Sequence, residues 1–426
     1  MDVARLVTGV VLLWGLTLLA RADEPVYIDE IRFVGNEVTK PQILRQELCL
    51  REGEPLDPDK LACSRQAIKN LGLFSAVRVE LLEEEGRQLV QFSVVERYFL
   101  LPIPMLGTRS GGEQFNYGIE LRWDNLAGLN QRLKLSHEHR TAIDGNEKLL
   151  RVSELSYRYP RMLGSWNDLH AAVGVRSQEQ ELDRDEEGMG GFTLQRTTMT
   201  LGVRHWLRQE HLRGWFTGLS YNAEARRYLD PWGVGQDYPS ASALELHFLL
   251  GYEQISEYPY HREGRSYGYS LSESSRWLGS DFSYTRHLLY WRNYHPIEAL
   301  DANLNTQLRL GVASGSSFGD GAYTLGGNNL RGYQTRLGPG NAMLQLNLEY
   351  HQRISGYRQL RAVVFGDVGN VWQDRREMDR HGFHPSLGFG LRWRVQHFVD
   401  TTLRMDYGYG LRQDERRYFF STSASF

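Results

Sequence analysis

From about residue 98 to the C-terminus, apolar and polar side chains alternate in repeated segments of about ten residues. In an extended strand, Leu344, Leu346 and Leu348 share one face, while Gln345 and Asn347 share the other. About sixteen such segments occur, near 98–108, 115–126, 132–141, 149–159, 167–180, 192–207, 214–229, 242–256, 264–278, 281–294, 303–314, 343–354, 360–372, 383–396, 401–412 and 417–426. An even number of alternating segments is typical of an antiparallel barrel in a lipid bilayer.

A soluble β-sandwich or propeller is the alternative for these strands. Its core would bury the aliphatic faces between sheets, but here the opposite faces carry Arg, Glu, Gln and His along many consecutive strands. The 23 Tyr, 10 Trp and 43 Gly suit aromatic girdles and close strand packing. We therefore predict a membrane all-β fold, in which residues 98–426 form a transmembrane β-barrel of about sixteen antiparallel strands.

Residues 1–22 have the form of a secretory signal peptide. Arg5 precedes the apolar run Leu6–Ala20, and the small residues near Ala22 offer a cleavage site before Asp23. An uncleaved anchor helix is the alternative, although the apolar run is shorter than the roughly 20 residues that span a bilayer. The segment indicates export from the cytoplasm.

Residues 23–97 predict a small α+β domain with the order strand, helix, helix, strand, strand. Thr39 is the expected N-cap of the first helix, and Asp57 is the expected N-cap of the second. Cys49 and Cys63 are the two cysteines of the chain, and an exported protein meets an oxidising compartment. A disulfide between them and two free thiols both remain open. Zinc is not expected without a nearby histidine pair.

Charge and motifs indicate neither a nucleic-acid partner nor an enzyme. The formal net charge is -3, which gives no bulk attraction to nucleic acid. Ser317 lies in a Gly-x-Ser-x-Gly pattern, but the strand-turn-helix context of a nucleophile elbow is missing. His137 and His139 share a strand face without a third metal ligand, and a polar loop explains the acidic tract 179–191 without calcium. We expect no catalytic residue, metal or cofactor.

The loop "GGNNLRGYQ" at 326–334 places Arg331 among glycines. In the later segment "RAVVFGDVGNVW", alternation puts Asp367 opposite the aliphatic face, and the same parity holds for Glu349. If the aliphatic faces contact lipid, both acids face the lumen. Arginine is suited to bidentate contact with carboxylates in partly dry surroundings, so Arg331 is predicted to fold inward and pair with them. A solvated loop arginine is the alternative.

These motifs together resemble the BamA/TamA superfamily of outer-membrane assembly proteins. The resemblance is carried by the loop Leu330, Arg331, Gly332 and Tyr333, by the strand motif Phe365, Asp367 and Gly369, by the terminal Phe426, and by the N-terminal domain. That domain resembles a polypeptide-transport-associated (POTRA) domain. The resemblance implies that Arg331 pairs with Asp367 in the lumen, that Glu349 is a further lumenal acid, and that Phe426 belongs to the C-terminal insertion signal.

The resemblance also implies a function, which is insertion of polypeptides into the bacterial outer membrane or their translocation across it. The implied partners are client outer-membrane or secreted polypeptides, membrane lipid, and periplasmic chaperones or lipoproteins, with the N-terminal domain in the periplasm. Assembly insertases of this kind usually carry several POTRA domains, and this chain has room for one. A two-partner secretion transporter for one client and a passive pore remain alternatives.

Pro102 and Pro104 lie two residues apart in the first barrel strand. Neither has an amide hydrogen, and their equal parity directs both missing donors toward the same neighbouring strand. If that neighbour is the last strand, the seam of the barrel is weak and could open for incoming client strands. The alternative is that the prolines merely bend the strand where it leaves the N-terminal domain.

Overall fold

The computed structural model describes residues 25–421, apart from short segments at 110–113, 143–149, 185–187, 208–212, 234–239, 259–260, 316–317, 319–320, 328, 334–336, 380–381, 396, 400 and 413. The signal-peptide prediction and Phe426 lie outside the described residues, as does Ser317. The N-terminal domain has the predicted order of elements, namely β1 (Glu30–Val34), α1 (Pro41–Arg45), α2 (Pro58–Asn70), β2 (Phe74–Glu84) and β3 (Arg87–Glu96). No helix among the described residues is long and apolar enough to cross a membrane.

The three strands form a small sheet against which both helices pack. β3 is central, parallel to β1 and antiparallel to β2. Phe92 on β3, Leu44 on α1 and Ile68 on α2 are fully buried in one apolar core. The alternation along β3 and the helical spacing along α2 direct their apolar faces to this core, which holds the domain together.

The two helices begin in different ways. For α2 the predicted cap is confirmed, because the Asp57 carboxylate accepts a hydrogen bond from the Asp59 amide at 2.9 Å. The predicted cap of α1 is wrong, since the residue before Pro41 is Lys40 and no side chain caps this helix. Thr39 is buried instead, where its hydroxyl accepts a hydrogen bond from Asn125 of the barrel at 2.8 Å. A contact between domains thus replaces the local cap.

Cys49 and Cys63 form a disulfide, with their Cα atoms 6.0 Å apart. The bond joins the segment after α1 to the middle of α2. Beside it, the Cys49 amide donates to the Ser64 hydroxyl at 2.8 Å. The disulfide and this hydrogen bond tie α1 to α2.

The rest of the chain forms the transmembrane barrel, whose sixteen antiparallel strands follow one another in chain order. A short hairpin of β15 (Tyr323–Leu325) and β16 (Leu337–Gly340) lies in the connection between the eleventh and twelfth barrel strands. The barrel strands are β4 (Leu100–Arg109), β5 (Gln114–Leu126), β6 (Gln131–Ala142), β7 (Leu150–Tyr159), β8 (Asn167–Arg184), β9 (Gly188–Trp206), β10 (Trp215–Gly233), β11 (Ala241–Glu257), β12 (Arg262–Ser274), β13 (Tyr284–Ile297), β14 (Ala302–Ser314), β17 (Ala342–Ile354), β18 (Tyr357–Trp372), β19 (His384–Arg394), β20 (Thr402–Gly410) and β21 (Glu415–Ser421).

Side chains alternate between the outside and the lumen as the sequence predicts. Leu348 and Val364 are 40% and 61% exposed on the outer face. Glu349 and Asp367, their immediate or near neighbours in sequence, are buried on the lumenal side. An aliphatic exterior around a polar interior is the arrangement that a bilayer requires of a barrel.

Eleven of the sixteen barrel strands have more than 11 residues, and the four longest far exceed the segments of about ten residues that the sequence shows. β8, β9, β10 and β11 have 18, 19, 19 and 17 residues. A tilted strand of about 9 to 11 residues spans the bilayer, so these strands extend beyond it. The sequence pattern predicts that strands end at polar clusters. Outside the bilayer, however, polar side chains are compatible with strand pairing, so the paired strands continue into water.

The N-terminal domain contacts several turns at one end of the barrel. Hydrogen bonds or ion pairs join Thr39 to Asn125, Glu47 to Arg161, and Asn70 to Glu257. Val399, from the connection between β19 and β20, is buried in the core of the domain. Because these turns belong to strand pairs at different places around the barrel, the domain lies across this end of the lumen.

The Asp57 cap gives a test of the local structure. Asp57→Ala should lower the free energy of opening of the first turn of α2 by about 1 kcal/mol, because two amide donors lose their acceptor. Hydrogen-exchange mass spectrometry of the full chain measures this opening. Asp57→Asn keeps a capping oxygen and should remain close to wild type; equal exchange in the Ala and Asn variants would contradict the role of the cap.

Candidate functional site

The segment Leu330–Tyr333 enters the lumen from the connection between β14 and β17. Leu330 and Tyr333 are fully buried and pack with Leu325 of β15 and Met343 of β17. The Asn329 carbonyl accepts hydrogen bonds from Gln345 at 2.7 Å and Asn347 at 2.9 Å, both on the lumenal face of β17. Apolar packing and these amide contacts hold the loop against the wall.

Arg331 forms a forked contact with Asp367. Its Nε donates to Oδ2 at 2.7 Å and its Nη2 donates to Oδ1 at 2.6 Å. The Arg331 backbone amide also donates to the same carboxylate at 3.1 Å, and its Nη1 donates to Glu349. The guanidinium lies 3.5 Å above the ring centre of Phe365. Arg331, Asp367 and Glu349, which the resemblance assigns to this contact, therefore lie together, and the Arg331 side chain at their centre is 1% exposed.

The strand motif provides the surface on which the loop rests. Phe365 supplies the aromatic face beneath the guanidinium. At Gly369, an added Cβ would lie 2.8 Å from the side chain of Leu325. The glycine leaves room for the hairpin that precedes the loop, so the strand is shaped to the loop at both motif positions.

The site contains further charged residues that sequence reasoning did not assign to it. Asp406 on β20 lies 3.5 Å from Nη1 of Arg331. Arg404 donates to Asp406 at 2.6 Å, and Arg392 donates to Asp406 at 3.1 Å and to Glu349 at 3.3 Å. Their strand parity places them in the lumen, but alternation does not tell which lumenal side chains meet a given loop.

Three guanidinium groups and three carboxylates make up this network, which we call the lumenal ion network: Arg331, Arg392, Arg404, Glu349, Asp367 and Asp406. His351 adds a contact to Glu349 at 2.8 Å. The formal charges of the six groups cancel, and all six are nearly or fully buried. Buried charges are stable only when they are paired in this way.

The surroundings keep Arg331 charged. Burial alone would lower the pKa of its guanidinium. The hydrogen bonds to Asp367 and the negative charges of Glu349, Asp367 and Asp406 outweigh burial, and the pKa rises above its usual value. The Arg331 guanidinium therefore stays protonated, and its contact with the carboxylates is not lost through deprotonation of the arginine.

Glycines allow the loop to approach the strands near the C-terminal end of the barrel. Gly332 has φ +95°, and an added Cβ would lie 2.7 Å from the backbone nitrogen of Gly410 on β20. At Gly408 a Cβ would lie 2.7 Å from the backbone nitrogen of Gly332. Backbone packs on backbone here, which explains the glycine of the loop motif and those of the "YGYG" segment.

Tyr333 extends these contacts to β19 and β21. Its hydroxyl donates to the Pro385 carbonyl at 2.5 Å. Its carbonyl accepts from Nη1 of Arg417 on the last strand at 2.9 Å. One loop thus contacts the last four strands, from the Asp367 strand to the Arg417 strand.

The two prolines of β4 point their missing donors away from β5. The Asp124 amide donates to the Phe99 carbonyl at 2.7 Å, and the β4–β5 register continues without a shift. Hydrogen-bonded and non-bonded pairs alternate along antiparallel strands, so Pro102 and Pro104 occupy non-bonded pairs with β5. Their backbone nitrogens therefore face the edge of the first strand that points away from β5, as the seam hypothesis requires.

The other candidate sites of the sequence remain isolated. His137 is exposed and His139 is half-buried, and their Nε2 atoms lie 2.8 Å apart. Among the residues that the structure describes, no group of three or more His, Cys, Asp or Glu could hold a metal ion.

Removing the loop arginine should release the loop. Arg331→Ala leaves Asp367 and Glu349 without their shared cation and should destabilise the barrel by about 3–5 kcal/mol. Heat-modifiability in detergent gives the unfolding midpoint, and limited proteolysis reports on residues 326–334. Arg309→Ala removes a half-buried lumenal arginine with one hydrogen bond at 3.4 Å, and should change both far less. Equal effects of the two substitutions would contradict the role of Arg331.

Sequence profiles identify two regions of the chain. The profile of the Omp85 superfamily domain matches residues 125–423. The POTRA profile, described as a surface antigen variable number repeat, matches residues 26–97. These regions correspond to the barrel and to the N-terminal domain.

A curated relative has similar sequence. The chain is 24% identical over 396 residues to the outer membrane protein assembly factor BamA of Neorickettsia risticii (strain Illinois). The match covers 86% of this chain and 50% of the relative. The chain therefore spans half the length of this curated relative.

Solved structures share the fold. CdiB from Escherichia coli has a TM-score of 0.65 at 16% identity, over 93% of this chain and 76% of that chain. BamA from Haemophilus ducreyi lacking POTRA domains 1-3 has a TM-score of 0.53 at 17% identity, over 93% of this chain and 84% of that chain. The profile match covers most of the residues, and the chain therefore belongs to the Omp85 superfamily, with its barrel in the bacterial outer membrane and its POTRA domain in the periplasm.

Proposed function

We propose that this protein inserts polypeptides into the outer membrane or transports them across it, without a cofactor and without catalysing a covalent reaction. The observation that carries the proposal is the lumenal ion network. It holds the Leu330–Tyr333 loop against the last four strands of the barrel. A pore would have little need to order a loop at this place with six buried charges. A protein whose last strands must keep their arrangement while the first strand separates from them would need it.

The mechanism that we propose uses the free edge of β4. Pro102 and Pro104 remove two donors from this edge, which weakens any pairing with a neighbouring strand. When the seam opens, the edge of β4 offers its remaining backbone groups to an extended client segment, which adds as a strand. The polar lumen receives the rest of the client.

The POTRA domain would deliver the client to this edge. Periplasmic polypeptides reach the barrel at the end that the domain covers, and the domain contacts the barrel through a few turns. Client binding at an exposed sheet edge of the domain follows the same strand-addition chemistry. Periplasmic chaperones or lipoproteins are further partners in this proposal.

The prolines provide a graded test of the seam. Pro102→Ala together with Pro104→Ala restores two amide donors, worth about 1 kcal/mol each when they find acceptors. If seam opening limits the reaction, client insertion into proteoliposomes should slow by up to about thirtyfold. Pro231→Ala, in the distal part of β10, is the matched control. Unchanged or faster insertion in the double variant would contradict the proposed seam.

A covalent closure provides a second test. A cysteine pair that joins β4 to β21 should abolish client insertion when oxidised, and reduction should restore it. The native Cys49–Cys63 disulfide serves as an internal control, because the same reduction in the wild-type protein should leave insertion unchanged. Full activity of the oxidised variant would rule out an opening seam.

Quantitative proteomics of depleted cells tests the function as a whole. Cells that lack the protein are complemented with wild type or with Arg331→Ala, and the outer-membrane and secreted fractions are compared. We expect several barrel proteins to decrease together and the variant to restore them poorly. Loss of one secreted protein with unchanged barrels would indicate a dedicated two-partner secretion transporter, and unchanged fractions would favour a passive pore.

A further inference from the structure

A cavity of about 380 Å³ lies between the POTRA domain and the adjacent end of the barrel. Glu47, Asn70 and Leu71 line it from the domain, and residues near the ends of several barrel strands, together with the turns that join them, line it from the other side. Sites for small molecules have volumes of about 300–1,000 Å³. The cavity is therefore large enough for a small ligand that would touch both parts of the protein.

Arginines dominate the charged lining of this cavity. Six of them line it, namely Arg132, Arg158, Arg204, Arg213, Arg262 and Arg292. Four carboxylates also line it, namely Glu47, Asp124, Glu253 and Glu257. The number of guanidinium groups alone thus exceeds the number of carboxylates by two.

The carboxylates of the lining are already engaged by arginines. Glu47 pairs with Arg161 at 2.9 Å, Asp124 with Arg122 at 3.2 Å and also with Arg132, Glu253 with Arg204 at 3.9 Å, and Glu257 with Arg262 at 2.6 Å and Arg394 at 3.4 Å. Three of these arginines, Arg122, Arg161 and Arg394, are outside the lining. External cations thus neutralise part of the negative charge, which leaves the cavity more positive than its lining suggests.

Three lining arginines have no carboxylate partner among the described residues. Arg292 donates to the amide oxygen of Gln307 at 2.9 Å. Arg213 lies 5.0 Å over the ring of Trp206. Arg158 is the third, and the buried carboxylate of Asp168 on the next strand accepts instead from the Trp206 indole at 3.0 Å and from the Arg161 amide at 2.9 Å.

An aromatic pair orders part of this positive charge. Trp206 and Phe216 are each 1% exposed, with ring centres 5.2 Å apart. Arg204 lies 4.4 Å over Phe216, and Arg213 lies over Trp206. Guanidinium groups that stack on rigid rings lose less freedom on binding, and their planar donors match the oxygens of a phosphate group.

We propose that this cavity binds the phosphate group of a small anion, with Arg158 and Arg213 as principal contacts and Arg292 as a third. The ligand would contact the POTRA wall on one side and the barrel wall on the other, and would steady the domain across the lumen. The size of the cavity and the POTRA wall that covers it favour a small anion over an acidic polypeptide segment. This site is independent of the proposed polypeptide transport.

Calorimetric titration of the full chain in non-ionic detergent tests the proposal. Inorganic phosphate and dihexanoyl phosphatidic acid are the two probes, which separate a free phosphate from a lipid headgroup. We expect saturable binding of at least one probe, and about tenfold or greater weakening in Arg158→Gln/Arg213→Gln. Arg213→Lys keeps the charge without the fork and should give an intermediate affinity.

Arg196→Gln is the matched control, because Arg196 has the same parity as Arg204 on β9 but lies eight residues away, about 26 Å along the strand. Heat-modifiability confirms that each variant is folded, and Arg292→Gln replaces the double variant if the latter does not fold. The proposal is overturned if wild type binds neither probe, if the arginine variants bind as wild type does, or if the control loses as much affinity. Binding of a glutamate hexapeptide in place of both phosphates would assign the cavity to an acidic segment instead.

Discussion

The forked contact between Arg331 and Asp367 determines how the rest of the barrel interior is organised. A guanidinium with 1% exposure must have its donors satisfied, and Asp367 satisfies two of them while also accepting from the backbone amide of the same residue. Glu349 and Asp406 then need cations of their own, which Arg392 and Arg404 provide. The loop is therefore bound to the wall through a closed set of charges in which each member requires the others.

This arrangement connects the loop to the strands that complete the barrel. Asp367 lies on β18, Arg392 on β19 and Asp406 on β20, and the Tyr333 carbonyl reaches Arg417 on β21. On the other side of the proposed seam, the first strand lacks two donors on the edge that points away from β5. Strong contacts on the last strands and two missing donors on the first strand would give the proposed seam two unequal sides.

Much of this could be predicted from the sequence, because the period of two is strict in a strand. Alternation placed Asp367 and Glu349 in the lumen, and the motif placed Arg331 beside them. The contribution of Asp406 and Arg392 could not be predicted, since it depends on the path of a loop across several strands. Likewise, Thr39 has the local pattern of a helix cap, but its hydroxyl accepts a hydrogen bond from Asn125, which is 86 residues away in the chain.

The positions of the strand ends and the docking of the POTRA domain could not be predicted from the pattern either. Polar residues at the ends of β8–β11 have the sequence pattern of loops. In the structure these residues stay extended, because backbone hydrogen bonds pair them with the neighbouring strand. Contacts between the domain and the barrel turns involve single polar side chains without any periodicity. Both depend on neighbours in space that a linear pattern does not encode.

Double electron–electron resonance between a spin label at Asn329→Cys in the loop and one at Arg276→Cys, in the connection between β12 and β13, tests most directly whether the ion network holds the loop. The native cysteines are joined in a disulfide, so only the introduced thiols react. The account predicts one narrow distance distribution in the otherwise wild-type protein and in Arg309→Ala, and a broad or displaced distribution in Arg331→Ala. An unchanged narrow distribution in Arg331→Ala would contradict the account.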